Sequence, residues 1–349
     1  MKTRIVQVEE KNIDMEIIRE AGEIIKAGGL VAFPTETVYG LGGDALNGAS
    51  SGKIYAAKGR PSDNPLIIHI AGMEYLPRIV KRIPEEAYKL AGLYWPGPLT
   101  MIFEKADCVP LETTGGLATV AVRMPSNKAA RALIEAAGGY VAAPSANLSG
   151  RPSPTMAKHV IEDMDGRIDM IIDGGEADIG LESTIVDLTG DGPVILRPGY
   201  VTREMLEDAV SGVAVDGTIL GGDAAGAPKA PGMKYRHYAP RGSLVIVEGM
   251  QEKAAACINS RLKAHRQAGE RTGVIATDET AALYQADSVK SLGRRSDEET
   301  IAKHLFQILR EFDEEEIQFI YAESFDARGV GQAIMNRLLK AAGHQVIRQ

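Results

Sequence analysis

Val31-Ala32-Phe33-Pro34-Thr35-Glu36-Thr37-Val38-Tyr39-Gly40-Leu41-Gly42-Gly43-Asp44 is the stretch on which the fold turns. It starts as a short apolar β-type run and passes into a turn crowded with hydroxyls, a carboxylate and three glycines. Upstream, Ile17, Ile18, Ala21, Ile24 and Ile25 recur at helical spacing over 14–26, and Gly28-Gly29 ends that helix before a strand over 30–33. Downstream lies a compact basic cluster, Lys58-Gly59-Arg60-Pro61. Open glycine backbone, hydroxyl donors and nearby cations are what a phosphate-bearing ligand requires. The pattern predicts a nucleotide enzyme rather than a scaffold.

The chain of 349 residues is long enough for two domains, and with 44% hydrophobic and 25% charged residues it is ordinary for a globular protein. Its formal net charge of −8 argues against tight, sequence-independent binding to nucleic acid, which rests on many phosphate-neutralising cations. No apolar stretch approaches the ~18 residues of a membrane span. Met1-Lys2-Thr3-Arg4 leads into a short β-like stretch without a signal-peptide apolar core, which predicts a cytoplasmic protein with no membrane partner. Cys108 and Cys257 stand far apart in unrelated contexts, so neither a metal site nor a disulfide framework is expected.

Further strands are expected at 65–70, 99–103, 119–124, 140–142, 170–172, 183–188 and 194–197. Helices are expected near 85–93, 128–137, 155–163 and 203–210. Together they predict a mixed α/β domain over 1–212. Residues 213–240 read as a linker, because 221–232 is rich in Gly, Ala and Pro and has no apolar periodicity. The linker's end, Met233-Lys234-Tyr235-Arg236-His237-Tyr238-Ala239-Pro240, mixes aromatic and basic residues and is expected to lie on a surface. Residues 241–349 repeat an alternation of strands (244–247, 274–276, 319–321) and helices (252–267, 298–312, 333–341), which predicts a small Rossmann-like parallel-sheet domain.

Two familiar phosphate motifs fit poorly. Gly40-Leu41-Gly42-Gly43-Asp44-Ala45 matches a dinucleotide pattern, but its strand ends in the polar Thr35–Thr37 stretch and not in a clean turn into a helix. Gly48-Ala49-Ser50-Ser51-Gly52-Lys53-Ile54 is one residue short of a P-loop and has Ile where Ser or Thr should bind Mg2+.

A scattered set of polar residues at strand ends is the better signal. Lys58 and Arg60, followed by Asn64, suit a polyphosphate, or form a solvated basic turn. In the strand over 119–124, alternation puts Val120, Val122 and Met124 on one side and Thr119, Ala121 and Arg123 on the other. Arg123 on that small-residue face would grip a carboxylate or serve a structural ion pair. His69 sits on the alternate face of its strand, where packing is the commoner role of a lone histidine. The 143–150 loop with Ser145 and Asn147, and Ser153 after it, is dense in hydroxyl and amide donors, or is a simple Ser/Asn turn. Glu182-Ser183-Thr184 opens a strand and Arg197-Pro198-Gly199 closes one. No nucleophile elbow and no metal cluster such as H-E-x-x-H is present, which suits a reaction run by positioning and charge stabilisation.

Taken in register, these segments resemble the threonylcarbamoyl-AMP synthase family, the YrdC-like proteins, in its long two-domain form. The matching runs are Phe33 to Gly42, Lys58-Gly59-Arg60-Pro61, Asn64-Pro65-Leu66-Ile67, Trp95-Pro96-Gly97-Pro98-Leu99-Thr100, Val122-Arg123-Met124-Pro125, Pro144 to Gly150, Glu182-Ser183-Thr184-Ile185 and Leu196-Arg197-Pro198-Gly199. Ala230 to Pro240 and Gly331-Gln332-Ala333-Ile334-Met335-Asn336-Arg337 match the long form.

The resemblance implies a twisted mixed-sheet YrdC-like catalytic domain over 1–212, a linker and lid over 213–240, and a small Rossmann-like domain over 241–349. It implies conversion of ATP, L-threonine and bicarbonate to threonylcarbamoyl-AMP and pyrophosphate, with Mg2+. A separate tRNA threonylcarbamoyltransferase would pass the product on to the t6A modification of adenosine 37, and direct tRNA binding to this chain is allowed but not expected to be strong. It also implies roles by residue. Arg123 holds the threonine carboxylate, with Thr35, His69, Ala143 and Ser183 around the amino acid. Lys58 and Arg60 neutralise the phosphates as the catalytic cations. Asn64, Thr119, Ser145, Asn147, Ser153, Arg197 and Tyr235 contact ATP. The alternative is an RNA-binding module on the same fold, against which the acidic charge and the lack of interleaved aromatic platforms weigh.

Overall fold

The computed structural model describes residues 2–217, 219, 229–231 and 237–349. They fall into two compact units: 1–149 with 153–178 and 182–234, and 235–349 with the short pieces 150–152 and 179–181.

The first unit is built on a mixed sheet of eleven strands. In chain order these are β1 (Arg4–Gln7), β2 (Val31–Phe33), β3 (Gly40–Asp44), β4 (Ile67–Ile70), β5 (Leu99–Glu104), β6 (Thr119–Arg123), β7 (Tyr140–Ala142), β8 (Met170–Asp173), β9 (Thr184–Asp187), β10 (Val194–Arg197) and β11 (Ala214–Val215). Across the sheet they lie in the order β1-β8-β2-β3-β7-β4-β6-β5-β9-β10-β11. β4 and β6 are parallel, and β5 runs antiparallel to β6.

The glycine run is a strand and not the turn the sequence suggests. β3 pairs antiparallel with β2, with Val31 opposite Gly42 and Phe33 opposite Gly40. The reason is close approach. A methyl group on Gly42 would lie 2.8 Å from Val141 Cγ1 and 2.9 Å from Phe33 Cε1, so the Phe33 ring occupies the space that side chains on β3 would fill. Asn47 then caps a helix over Gly48–Lys58, accepting from the backbone N–H of Ala49. The expected strands at 65–70, 99–103, 119–124 and 170–172 correspond to β4, β5, β6 and β8.

Helices Met15–Lys26 and Lys128–Ala136 cover one end of the sheet. The first is capped by Asp14 and the second by Asn127. Ile18, Ala21 and Ile25 from one and Leu133 and Ile134 from the other pack with Val31, Phe33, Val141 and Met170. Each large aliphatic side chain buried in this way contributes about 1.5–3 kcal/mol. On the opposite face Val120, Val122 and Met124 enter the larger apolar cluster, as their alternation requires.

The second unit has a five-stranded parallel sheet of β12 (Ser243–Glu248), β13 (Thr272–Ala276), β14 (Ser288–Ser291), β15 (Phe319–Glu323) and β16 (Val346–Arg348), ordered β14-β13-β15-β12-β16. Helices Gln251–Gln267, Glu298–Glu314 and Gly329–Ala341 connect the strands. His237 and Tyr238, expected on a surface, are buried, and the Tyr238 ring lies 5.1 Å from that of Phe306. Aromatic area this large is worth more in a core than in water.

Candidate active site

The site grows from the register of four neighbouring strands. His69 pairs with Arg123, Thr100 pairs with Arg123, and Ile185 pairs with both Thr100 and Arg197. Residues directly opposite in register share a face. One row therefore carries His69, Arg123, Thr100 and Arg197. Two residues along, Ile67, Ala121 and Ile102 continue the same face, and with Ile185, Leu196 and Ala230 they form a separate apolar cluster. Thr119 ends the face on β6, four residues from Arg123, or about 13 Å at ~3.3 Å per residue. The result is an apolar floor with a cationic row at one end and a hydroxyl at the other.

Arg123 is 4% exposed, and three groups fix it. Its Nη1 donates to Thr37 Oγ1 at 2.8 Å, its Nε to the Gly97 carbonyl at 3.3 Å, and its Nη2 lies 2.8 Å from Glu36 Oε1. Thr35 Oγ1 donates to the Val38 carbonyl at 2.6 Å and sits 2.9 Å from Thr37 Oγ1, which ties the hydroxyl turn to the guanidinium. Ser183 joins the row through Thr100 Oγ1 at 2.7 Å and Arg197 Nη2 at 3.1 Å. Arg197 also donates to the Ser183 carbonyl at 3.0 Å and to the Pro231 carbonyl at 3.4 Å. Residues 229–231 thus meet the floor: Ala230 packs on it, and Lys229 Nζ lies 4.0 Å from Asp187 Oδ2.

His69 is buried beside Arg123, with Nδ1 3.2 Å from the Ile67 carbonyl and its ring edge-on to Phe33. Burial first, and the neighbouring guanidinium second, push its pKa down to about 3, so the imidazole is neutral at physiological pH. The unfolded chain takes up a proton near pH 6.5 that the native state refuses until about 3. Stability therefore falls as the pH drops through that window. Thermal midpoints of wild type and His69→Gln, recorded from pH 7 to 4, should converge on acidification, and parallel curves would refute the assignment.

The second cluster of predicted residues is built around the start of β4. Lys58 is 2% exposed, and its ammonium donates to the carbonyls of Ser145 and Asn147. Arg60 donates to the carbonyls of Asn64 and Pro65 at 3.3 and 3.1 Å. Ser145 Oγ donates to Asn147 Oδ1, and the Ala143 N–H donates to the Ile67 carbonyl at 2.9 Å. Asn64 is 1% exposed, and its Oδ1 is buried without a hydrogen bond. Ser153 is fully buried and donates to Glu182. Both cations are thus held by backbone carbonyls, at the Thr119 end of the floor. Tyr235 lies outside the described residues.

Sequence reasoning assigns no role to Glu36, Thr37, Thr100 or Glu182. All four stand inside the matching runs, but only strand register brings Thr100 against Ser183, and only the turn at 34–38 aims Glu36 at Arg123.

A family model described as "Telomere recombination" matches residues 23–199, and one described as "Threonylcarbamoyl-AMP synthase, C-terminal domain" matches 201–343. The chain is 50% identical to the threonylcarbamoyl-AMP synthase of Bacillus subtilis over 95% of its length and 94% of the relative's. It is 48% identical to that of Pyrococcus abyssi over 99% of both chains. The crystal structure of P. abyssi Sua5 complexed with L-threonine superposes with a TM-score of 0.94 at 48% identity, covering 99% of this chain and 100% of that one. The mixed sheet and these matches define a YrdC-like enzyme of the ATP-using nucleotidyl-transfer type. The chain belongs to the threonylcarbamoyl-AMP synthase family.

Proposed function

We propose that the protein makes threonylcarbamoyl-AMP from ATP, L-threonine and bicarbonate, releases pyrophosphate, and feeds tRNA t6A37 synthesis through a separate transferase. The observation that carries this reading is the buried Arg123 in one row with His69, Thr100 and Arg197, at the end of an apolar floor. Arg123 takes the threonine carboxylate, while Thr35, Ser183, the neutral His69 and the backbone of Ala143 surround the amino acid. The floor accepts the flat, apolar part of the nucleotide. Thr119, Asn64, Ser145, Asn147, Ser153, Arg197 and Tyr235 contact ATP, and Lys58 and Arg60 offset charge on the phosphates as pyrophosphate departs. Charge-assisted bonds of this kind contribute about 1.5–3 kcal/mol each, and donors already fixed by the fold favour developing charge most.

Among the described residues no group of three or more His, Cys, Asp or Glu side chains is placed to hold a metal ion. In this reading Mg2+ arrives as the counter-ion of ATP. Residues 1–212 are the catalytic domain, 213–240 a linker and lid that excludes water from a labile mixed anhydride, and 241–349 a small second domain. No helix among the described residues is long and apolar enough to cross a membrane, and the reaction is assigned to the cytoplasm.

Pyrophosphate release from ATP, with threonine and bicarbonate each omitted in turn, tests the proposal. Release that requires both supports it. Release that needs neither, or none from folded protein, overturns it.

A further inference from the structure

Glu36 is a carboxylate 5% exposed, and its charged contact is Arg123 Nη2 at 2.8 Å. Among the described residues neither Glu36 oxygen accepts an aligned hydrogen bond, and Arg123 Nη2 donates none. The guanidinium is fixed in place by one bond from each of its other nitrogens, Nη1 to Thr37 and Nε to Gly97. Two buried charges that face each other with hydrogen-bonding directions unfilled are costly for a purely structural pair, which normally needs those directions satisfied. They are, however, the mirror of a zwitterion: an α-amino acid presents a carboxylate and an ammonium group on one carbon.

The geometry points to Glu36 as a catalytic residue that binds the α-ammonium group of L-threonine and removes its proton. This rests on the function proposed above and deepens it. Without ligand, Arg123 and Glu36 neutralise each other. With threonine bound, each takes the pole of opposite charge.

The chemistry requires such a base, because an ammonium nitrogen has no lone pair. A proton passes from the ammonium to a Glu36 oxygen, leaving a neutral amine and a carboxylic acid. The nitrogen lone pair then forms the N–C bond to the bicarbonate carbon. The C–OH bond breaks, and the hydroxide leaves as water with a second proton from the nitrogen. The product is threonine N-carboxylate, and Glu36 later gives its proton to solvent. His69 is a poor substitute, since burial beside Arg123 opposes its protonation.

The test uses the full chain and two ligands measured by titration calorimetry: L-threonine, and 3-hydroxybutanoate, which keeps the carboxylate and hydroxyl but lacks the amine. Wild type should bind 3-hydroxybutanoate at least about tenfold more weakly than L-threonine, the factor expected of one charge-assisted bond. Equal affinities would overturn the inference without any variant. Glu36→Gln should weaken L-threonine by a similar factor, leave 3-hydroxybutanoate unchanged or tighter, and cut the threonine-dependent rate further than saturating threonine restores. L-threonine affinity unchanged in Glu36→Gln, or an equal loss of both ligands, would overturn it. If wild type shows no threonine- and bicarbonate-dependent pyrophosphate release, the underlying function fails. If it shows that release while Glu36→Gln behaves as wild type, only the role of Glu36 fails.

Discussion

Arg123→Ala is expected to lose L-threonine binding by about 100-fold or more while ATP affinity changes by less than about threefold. Two charge-assisted bonds to a carboxylate, at about 1.5 kcal/mol each even at the low end, make about 3 kcal/mol, or somewhat over 100-fold. The nucleotide contacts proposed at the Thr119 end lie about 13 Å away along the strand and do not use this guanidinium, and Arg197, which shares the row, is anchored through Ser183. The variant should also be less stable, because Glu36, 5% exposed, is left as an uncompensated buried charge. The double variant Arg123→Ala/Glu36→Gln separates the two effects. Its melting temperature should recover relative to the single variant, and its threonine binding should not. Equal loss of threonine and ATP by the single variant would sink the assignment of the cationic row.

Gly199→Ala should be a severely damaging small substitution in the first unit. A methyl group there would lie 2.4 Å from the Thr184 N, 2.7 Å from the Glu182 O and 2.7 Å from the Ser183 C. All three are backbone atoms, so no side chain can rotate away. Overpacking typically costs 1–3 kcal/mol, and a rigid backbone neighbour places this case near about 3 kcal/mol. In a unit of this size that lowers the melting temperature by roughly 6–12 °C. The strain falls on the segment that presents Ser183, so KM for threonine should rise even where the protein remains folded. Gly52→Ala is the control: nothing lies within 4 Å of its added methyl group, and helix propensity favours the change by about 0.5–1 kcal/mol. Scanning calorimetry of both variants decides the point, and similar melting temperatures would contradict the packing described here.

What the sequence reveals of this site follows from periodicity. A period of two is enough to put Thr119, Ala121 and Arg123 on one face, and β6 presents them so. The parallel sheet of the second unit is legible for a related reason, because its central strands carry apolar runs at 244–247, 274–276 and 319–322. Its edge strands are not: Ser288–Ser291 and Val346–Arg348 are short and only partly buried, and their pairing comes from neighbours and not from pattern. β3 is hidden because glycine is a poor strand former, and its reason for being there is a phenylalanine ring seven to nine residues upstream. The helix over Gly48–Lys58 is hidden because its inward face is partly polar. Ser50 and Ser51 are fully buried, with Ser51 Oγ 2.8 Å from Thr113 Oγ1. Glu36 is visible as a residue but not as a partner of Arg123, since a contact between residues 87 positions apart is a property of the assembled sheet.

Arg197 divides its grip unequally. It donates to the Ser183 carbonyl at 3.0 Å and to the Pro231 carbonyl at 3.4 Å, the second beyond the usual N–H···O range. Ser183 has a further hold on the same guanidinium, through its Oγ at 3.1 Å from Nη2. In the proposed function a cover over the substrates leaves and returns at each turnover, and a threonine-facing wall anchored through both the backbone and the side chain of Ser183 would not have to be rebuilt each time.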